Sequence, residues 1–258
     1  MNLRLITLVV LAVASHAQAA ACVPLDVKGA WALTMEGAVQ GKVKGVKAWL
    51  PSRLLGRFQF DGKRQFSADV RSITLVGGSK FAMDFVRVQY NGTYEVADAT
   101  KCQYVLTAVD PATTRDALIF AGVLNAARMR MDAVWGGAQM SGKFERMPSV
   151  PCTLKLMVGP RTFSSSFAYA GPKRAVAVTS YAGAQSYSIV NNVGLSSAWE
   201  YAAPALGILT FNGTFVVYPD CSVVESFGYY HLMLADYSSY YISTDLVNGW
   251  DFGYLAIS

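Results

Sequence analysis

The sequence predicts an all-β protein made of two tandem antiparallel units, barrel-like or sandwich-like, each with one internal disulfide. Three observations predict this fold: short alternating runs that end in turn dipeptides, an internal repeat, and cysteines at matching places in both copies. The repeat is clearest where residues 90–96, followed by Cys102, return as residues 211–217, followed by Cys221. In each copy another cysteine, Cys22 or Cys152, lies well upstream.

Residues 1–21 have the pattern of a secretory signal peptide. Arg4 precedes an apolar run and a tract of small residues. The apolar run is about half the roughly 20 residues that a membrane-spanning helix needs. We therefore expect a mature chain that is secreted or periplasmic and has no membrane span. Acylation of Cys22, as in a bacterial lipoprotein, is the less favoured alternative.

The four cysteines are expected to form two disulfides, because an exported chain meets an oxidising environment. Four cysteines allow three pairings, and spacing does not choose among them. If each copy is one structural unit, the pairing that treats both copies alike is Cys22–Cys102 with Cys152–Cys221. The units then comprise residues 22–148 and 149–258, divided where two prolines flank a short polar step.

The elements of the first unit follow from turn and alternation signals. Residues 56–63 alternate and reach Asp61-Gly62, a two-residue hairpin signal, with residues 66–70 as the return strand. A second hairpin is predicted around Asn91-Gly92. Apolar residues in 113–131 have nearly helical spacing, but the second copy reads as strand, turn, strand at this stage. The repeat therefore predicts strands at Ala117–Leu124 and 129–135, and residues 140–144 close the unit.

The second unit repeats this order. A hairpin is predicted around Asn212-Gly213, strands on either side of a turn at 235–238, and a closing strand at 251–255. Both Asn-Gly-Thr sequences also match the N-glycosylation acceptor, so Asn91 and Asn212 are possible glycosylation sites in a eukaryotic source. Units of about 110 to 125 residues with many short strands suit a closed barrel or a sandwich. Closure is favoured because it removes exposed strand edges.

Charge is distributed unevenly between the units. Residues 22–148 hold 17 Lys and Arg against 11 Asp and Glu, whereas residues 149–258 hold 4 against 6. The basic residues of the first unit are scattered, which is typical of a solvated surface; an anionic partner or a membrane surface is the alternative. They include Lys42, Lys44, Lys47, Lys63 and Arg64. No dense basic patch is present, so nucleic acid is not an expected partner.

The order of turn and strand signals resembles that of secreted bacterial and fungal proteins related to allene oxide cyclase-like and lipocalin-like barrels. In the first unit the resemblance lies in residues 56–62, in residues 92–96 leading to Cys102, and in Ser141-Gly142. The second unit keeps residues 213–217, 219–221 and Gly253 but lacks a clear Phe-Asp-Gly hairpin. The resemblance implies a barrel that binds a small molecule or catalyses a non-oxidative cyclisation.

His231 is the only histidine after residue 21. A zinc site built on several imidazoles is therefore excluded, and no metal or cofactor is predicted. The chain has no Gly-x-Ser-x-Gly elbow, phosphate loop or dinucleotide fingerprint. His231 lies in an apolar strand, where two interpretations remain: a histidine satisfied by a neighbour, or an acid or base that lines a barrel.

The second unit holds 11 of the 14 tyrosines. Strand alternation places Tyr229, His231 and Met233 on one face, and Tyr230, Leu232 and Leu234 on the other. Strand packing alone can explain these aromatic residues, and an aromatic pocket is the alternative. The candidate ligand-binding residues are Tyr229, Tyr240, Trp199 and Trp250.

Three functions are weighed on this basis, and the sequence does not determine the oligomeric state. The leading hypothesis is a secreted barrel that binds an apolar small molecule without changing it. The second is a cofactor-independent cyclase or isomerase, with its catalytic group among His231, Glu200, Glu225 and Asp245. The third is an extracellular interaction module without a pocket.

Overall fold

The computed structural model describes residues 21–43, 45–76, 82–109, 117–125, 127–136, 138–170, 176–202, 207–226, 228–243 and 250–257. In these residues the chain forms strands and two short 3₁₀ helices, η1 (Pro24–Val27) and η2 (Leu154–Leu156). The strands of the first half are β1 (Gly29–Val43), β2 (Val46–Phe60), β3 (Gln65–Val76), β4 (Ala82–Asp98), β5 (Gln103–Val109), β6 (Ala117–Leu124), β7 (Arg130–Gly136) and β8 (Gln139–Arg146). Those of the second half are β9 (Gly159–Ala170), β10 (Val176–Val190), β11 (Val193–Ala202), β12 (Gly207–Val217), β13 (Ser222–Glu225), β14 (Tyr229–Met233), β15 (Ser239–Ser243) and β16 (Trp250–Ile257).

The strands form two closed antiparallel barrels in tandem, which confirms the predicted fold. In the first barrel each strand pairs with the next, and β1 closes the ring against β8. The second barrel repeats this order from β9 to β16, and β9 closes against β16. A strand and the strand eight places later therefore hold equivalent positions, and the barrels can be compared residue by residue.

The segment with helical spacing is strand, as the repeat predicted. β6 and β7 alternate, with Phe120 and Leu124 buried in the barrel while Ile119 and Val123 are exposed on its outer wall. Closure of the ring decides this outcome, because β5 and β8 each need a partner for their backbone N–H and C=O groups. Tertiary pairing therefore overrides the local spacing of apolar residues.

The predicted Asn-Gly hairpin turns are wrong. Asn91 lies inside β4, opposite Ser67 on β3, and Asn212 lies inside β12, opposite Ser197 on β11. Gly92 is needed for close packing rather than for a turn, since an added Cβ there would lie 2.5 Å from the ring of Phe66 on the neighbouring strand. Both asparagines are exposed strand residues, so glycosylation at these positions stays a prediction without the turn geometry.

The predicted turn at Asp61-Gly62 is present but longer than two residues. β2 ends at Phe60 and β3 begins at Gln65. Asp61 Oδ1 accepts hydrogen bonds from the backbone N–H groups of Lys63 and Gln65, at 2.6 and 2.9 Å. Gly62 and Arg64 both have positive φ, +77° and +85°. The side chain of Asp61 therefore organises a four-residue turn.

Disulfides join Cys22 to Cys102 and Cys152 to Cys221, one in each barrel, as the repeat predicted. Each bridge connects the residue that precedes a 3₁₀ helix to the turn between the fourth and fifth strands of its barrel. The bridges close loops of 80 and 69 residues. By the loop-closure argument each stabilises its barrel by about 4 kcal/mol.

One end of each barrel is closed by a guanidinium group. In the first barrel, Arg146 donates to the carbonyl oxygens of Asp26, Lys28 and Arg128. In the second, Arg161 donates to the carbonyl oxygens of Leu156, Met157 and Tyr237. Both arginines thus connect the 3₁₀ helix of their barrel to the turn between its sixth and seventh strands. Burial lowers the pKa of both guanidinium groups.

The interior of the first barrel is filled by apolar side chains. Phe58 lies at its centre and contacts Phe60, Phe66, Phe120 and Phe144, with ring centroids 4.9 to 6.1 Å apart. Trp31, Leu33, Met35, Leu54, Leu106 and Met131 complete the same cluster, and each is at most 2% exposed. This interior is a packed core.

The two barrels pack against each other through their outer walls. Ala32, Leu55 and Ile73 of the first barrel are completely buried within the apolar cluster of the second. Beside this cluster, the guanidinium of Arg71 lies 3.2 Å from the centroid of the Tyr230 ring. The backbone N–H of Ala235 donates to the carbonyl of Arg146 at 2.8 Å, which joins the two closed ends.

The described residues contain no helix whose length and apolar character would let it span a bilayer.

A buried acid and imidazole in the second barrel

The strand register identifies equivalent interior positions in the two barrels. Cys102 and Cys221 lie in equivalent turns of the two barrels. The backbone carbonyl of Cys102 accepts a hydrogen bond from the Leu124 N–H at 3.0 Å, and that of Cys221 accepts one from the Met233 N–H at 3.0 Å. Glu225 follows its cysteine by four residues, as Leu106 does in the first barrel. His231 precedes Met233 by two residues, as Gly122 precedes Leu124. Glu225 and His231 therefore occupy the places of Leu106 and Gly122.

The same comparison extends around the ring. Tyr187 on β10 pairs with Gly159, the first residue of β9, just as Phe60 on β2 pairs with Gly29, the first residue of β1. Counting along the paired strands gives the remaining equivalences. The apolar residues Trp31, Phe58, Phe60, Phe66, Leu106 and Met131 of the first barrel are replaced by Arg161, Gln185, Tyr187, Ser196, Glu225 and Ser239 in the second.

Glu225 is the centre of the polar cluster that results. It is 2% exposed. Its Oε1 accepts the Tyr187 hydroxyl at 2.5 Å, and the Gln185 amide nitrogen lies 3.1 and 3.0 Å from Oε1 and Oε2. Gln185 and Tyr187 are on β10, and β11 and β12 separate β10 from β13. These contacts therefore cross the interior of the barrel.

His231 completes the cluster from the neighbouring strand β14. It is 1% exposed, and its Nε2 lies 3.0 Å from Glu225 Oε1. Nε2 lies close to Oε1 without the alignment of a hydrogen bond, and Nδ1 is buried and has no hydrogen-bond partner among the described residues. The carboxylate therefore lies against one edge of the ring and leaves Nδ1 for another group.

The pKa values of the cluster follow from burial and its contacts. Burial raises the pKa of Glu225, but the neighbouring His231 imidazole and the hydrogen bonds from Tyr187 and Gln185 outweigh it, so the pKa falls below its usual value. Burial, and then the nearby Glu225 carboxylate, raise the pKa of Tyr187 well above its usual value. Glu225 is therefore ionised and Tyr187 protonated over the neutral pH range.

Aromatic rings and hydroxyl groups surround the imidazole. The rings of Tyr241 and Tyr229 lie 5.4 and 6.4 Å from that of His231, centroid to centroid. The hydroxyls of Ser196 and Ser239 are buried and have no hydrogen-bond partner among the described residues. The interior thus combines an aromatic surface with polar groups that make no hydrogen bond to the described residues, namely the His231 imidazole and the two hydroxyls.

The structure brings together two of the predicted catalytic residues, Glu225 and His231, and one predicted ligand-binding residue, Tyr229. Tyr240 lies elsewhere: it faces the first barrel, and its hydroxyl donates to Glu145. Burial and the Glu145 carboxylate raise the pKa of Tyr240. The side chains of Trp199, Glu200 and Trp250 and the whole of Asp245 lie outside the described residues.

Sequence reasoning missed Gln185, Tyr187 and Arg161. A signal for them existed, since the second copy lacks the Phe-x-Phe-Asp-Gly sequence that carries Phe58 and Phe60 in the first. Aligning residues 185–187 with residues 58–60 would have placed Gln185 and Tyr187 at core positions. A polar residue at a position that is apolar in the other copy is the useful signal here.

Tyr240 also lines a groove of about 700 Å³ between the barrels. The outer wall of β5 to β8 forms most of the groove, and Tyr240 and Phe252 enter it from the second barrel. Its charged side chains pair with acidic neighbours, Arg130 with Asp132 and Lys143 with Glu145. The buried cluster inside the second barrel is therefore the stronger candidate site.

No group of three or more His, Cys, Asp or Glu side chains in the described ranges is placed to hold a metal ion.

No protein-family model matches the chain, and neither does any curated protein. Among solved structures, the chain is similar to a beta-barrel-like protein of domain of unknown function DUF1849 from Brucella abortus. The identity is 8%, the TM-score is 0.23, and the similarity covers 90% of this chain and 98% of that chain. The fold itself confirms the barrel part of the resemblance seen in the sequence. The allene oxide cyclase-like and lipocalin-like part stays a prediction.

Proposed function

We propose that this is an exported protein whose second barrel binds a small organic molecule, with an apolar body and one hydrogen-bonding group. The observation that carries the proposal is the replacement of Leu106 and Gly122 by the buried pair Glu225 and His231. The aromatic rings of Tyr229 and Tyr241 would contact the apolar body. Nδ1 of His231 would bind the polar group, and the first barrel would act as scaffold.

Energetics support this assignment. Burying an ion pair rarely stabilises a fold more than apolar residues of the same volume do. The first barrel demonstrates that this frame closes around an apolar core. Buried hydroxyls and an imidazole nitrogen that have no hydrogen-bond partner among the described residues are therefore unfavourable for folding, and occupation by a ligand would account for them.

The strand lengths support entry of a ligand at one end of the second barrel. Residues of the 3₁₀ helix and Arg161 close one end of the second barrel. At the other end the strands differ in length, since β13 has 4 residues whereas β10 has 15. Glu225 is the last residue of β13 and Tyr229 is the first residue of β14, so the cluster lies near this end, on the side where the strands are short. Entry at that side would bring a ligand directly to His231.

The test compares matched pairs of aromatic and terpenoid molecules, with and without a hydroxyl or carboxyl group, by native mass spectrometry. We expect the wild-type protein to retain the polar member of a pair and His231→Phe to lose that preference. The control is an apolar transplant that gives the second barrel the residues of the first: Gln185→Phe, Tyr187→Phe, Glu225→Leu, His231→Gly and Ser239→Met. Equal binding by the transplant would contradict the proposal.

A second candidate function is a cofactor-independent cyclase or isomerase. One observation favours it: the Glu225 carboxylate lies 3.0 Å from Nε2 of the imidazole while Nδ1 has no hydrogen-bond partner among the described residues, an arrangement that suits a general acid or base. Recovery of the bound molecule followed by NMR spectroscopy separates the two functions. A rearranged product that forms with wild type but not with His231→Asn would establish catalysis, and an unchanged molecule would establish binding alone.

A further inference from the structure

The hairpin of β1 and β2 extends beyond the first barrel as a two-stranded ribbon. β8 pairs with β1 only as far as Ala38, and β3 pairs with β2 only from Ser52 onward. Among the described residues, 39–43 and 46–50 therefore pair only with each other. A two-stranded ribbon is only marginally stable in water by itself. At the base of this ribbon Val39 packs against the core of the first barrel and Leu50 is buried, and beyond them no described strand flanks it.

One face of this ribbon is basic and carries an exposed tryptophan. Lys42 pairs directly with Lys47, and Gln40 pairs with Trp49, so strand alternation puts all four side chains on the same face. Both lysines are exposed, and Trp49 is 48% exposed. Val46, beside the tip, is 69% exposed. The ribbon therefore displays apolar and cationic groups side by side.

The lysine pair has no counter-charge within the described part of the chain. The ion pairs of the first barrel use other basic residues, such as Arg53 with Glu36 and Arg87 with Asp69. Like charges directly opposite each other on paired strands are destabilising. An anionic partner that contacts this face would remove the repulsion, and no acidic side chain of the ribbon does so.

We propose that this ribbon docks the protein on an anionic lipid surface, a function separate from the site in the second barrel. Lysines near such a surface each contribute about 1 kcal/mol, and tryptophan favours the level of the lipid headgroups. Trp49 would lie among the headgroups, and Lys42 and Lys47 would contact lipid phosphates. The exposed Trp49 beside the lysines favours a lipid surface over a soluble polyanion.

The experiment measures binding to vesicles of phosphatidylcholine alone and of phosphatidylcholine with one-quarter phosphatidylglycerol. We expect binding to the anionic vesicles only, weakening as sodium chloride rises, because surface charge is screened. Lys42→Gln/Lys47→Gln should lower the partition coefficient about 25-fold, since each lysine is worth about fivefold. Trp49→Phe should abolish quenching of protein fluorescence by brominated phosphatidylcholine mixed with phosphatidylglycerol.

The matched control is Lys28→Gln/Lys63→Gln, which removes the same charge from two exposed lysines at the opposite end of the first barrel. This control should bind as wild type does, and so should the apolar transplant, which leaves the ribbon unchanged. Equal loss in both lysine double variants would overturn the proposal, as would binding that ignores lipid charge. A change of oligomeric state in Lys42→Gln/Lys47→Gln without vesicle binding by wild type would also overturn it and identify a second copy as the partner.

Discussion

Glu225 connects three strands through one carboxylate. It is on β13, its neighbour His231 is on β14, and the donors Gln185 and Tyr187 are on β10. A buried carboxylate without such partners would be strongly disfavoured. The stability of the second barrel therefore depends on the cluster being complete rather than on any one contact.

Removing one member of the cluster should be costly, and replacing all of it should not. Glu225→Leu leaves Gln185 and Tyr187 without their acceptor. Each buried group left without a partner costs about 1–3 kcal/mol, so we expect a loss of about 2–6 kcal/mol in the free energy of unfolding. The apolar transplant should be at least as stable as wild type. Urea unfolding measures both. A transplant less stable than Glu225→Leu would contradict this explanation.

Acid should weaken the second barrel through Glu225. The folded state lowers the pKa of this residue below its value of 4.5 in the unfolded chain. The unfolded state therefore binds a proton more readily, and the stabilisation present above pH 4.5 is lost as pH falls through the folded pKa. Thermal unfolding between pH 6 and pH 3 should show a decline for wild type that is smaller for the apolar transplant.

At the scale of elements, glycines within strands permit aromatic rings to pack closely against the neighbouring strand. Phe66 covers Gly92 in the first barrel, and Phe215 covers Gly194 in the second. The pairing lets a small barrel hold large rings without pushing its wall outward. It also explains why the Asn-Gly sequence occurs within a strand that continues to Asp98.

Gly92→Ala tests this packing. The added Cβ would meet both the Phe66 ring and the backbone oxygen of Thr107, so we expect the free energy of unfolding to fall by about 1–3 kcal/mol. Thr93→Ala, at the adjacent exposed position, is the control and should change stability by less than about 0.5 kcal/mol. Equal effects in the two variants would show that the ring contact does not constrain Gly92.

The sequence allowed prediction of the elements and their closure, but not of the contacts across the barrel. The repeat identified strands at Ala117–Leu124 against a helical spacing, and it chose the disulfide pairing. Turn dipeptides were less reliable. Asn91-Gly92 has the local sequence of a turn, but the Phe66 ring on the neighbouring strand determines its conformation. His231 and Glu225 could be named as polar residues in apolar strands. Gln185 could not be joined to them, since that contact depends on the register of four strands.

At the scale of the whole molecule, the two barrels share an apolar interface and should unfold together. Leu55 is completely buried there, on the outer wall of the first barrel. Leu55→Asp would bury a charge at the contact. We expect calorimetry to resolve one transition for wild type and two for this variant. Val109→Asp, at an exposed position on the same wall, should retain the single transition.

The closure of each ring by its first and last strands determines the order in which the chain can fold. Antiparallel neighbours pair early because the chain between them is short, whereas β1 must wait until β8 exists. Until then the unpaired edge of β1 is exposed and able to aggregate. Cys22 and Cys102 can form their bridge before β5 to β8 are made, because Cys102 lies in the turn that follows the fourth strand. In a chain that folds from its N-terminus as it emerges, the disulfide would hold β1 in position until the remaining strands of the barrel have formed.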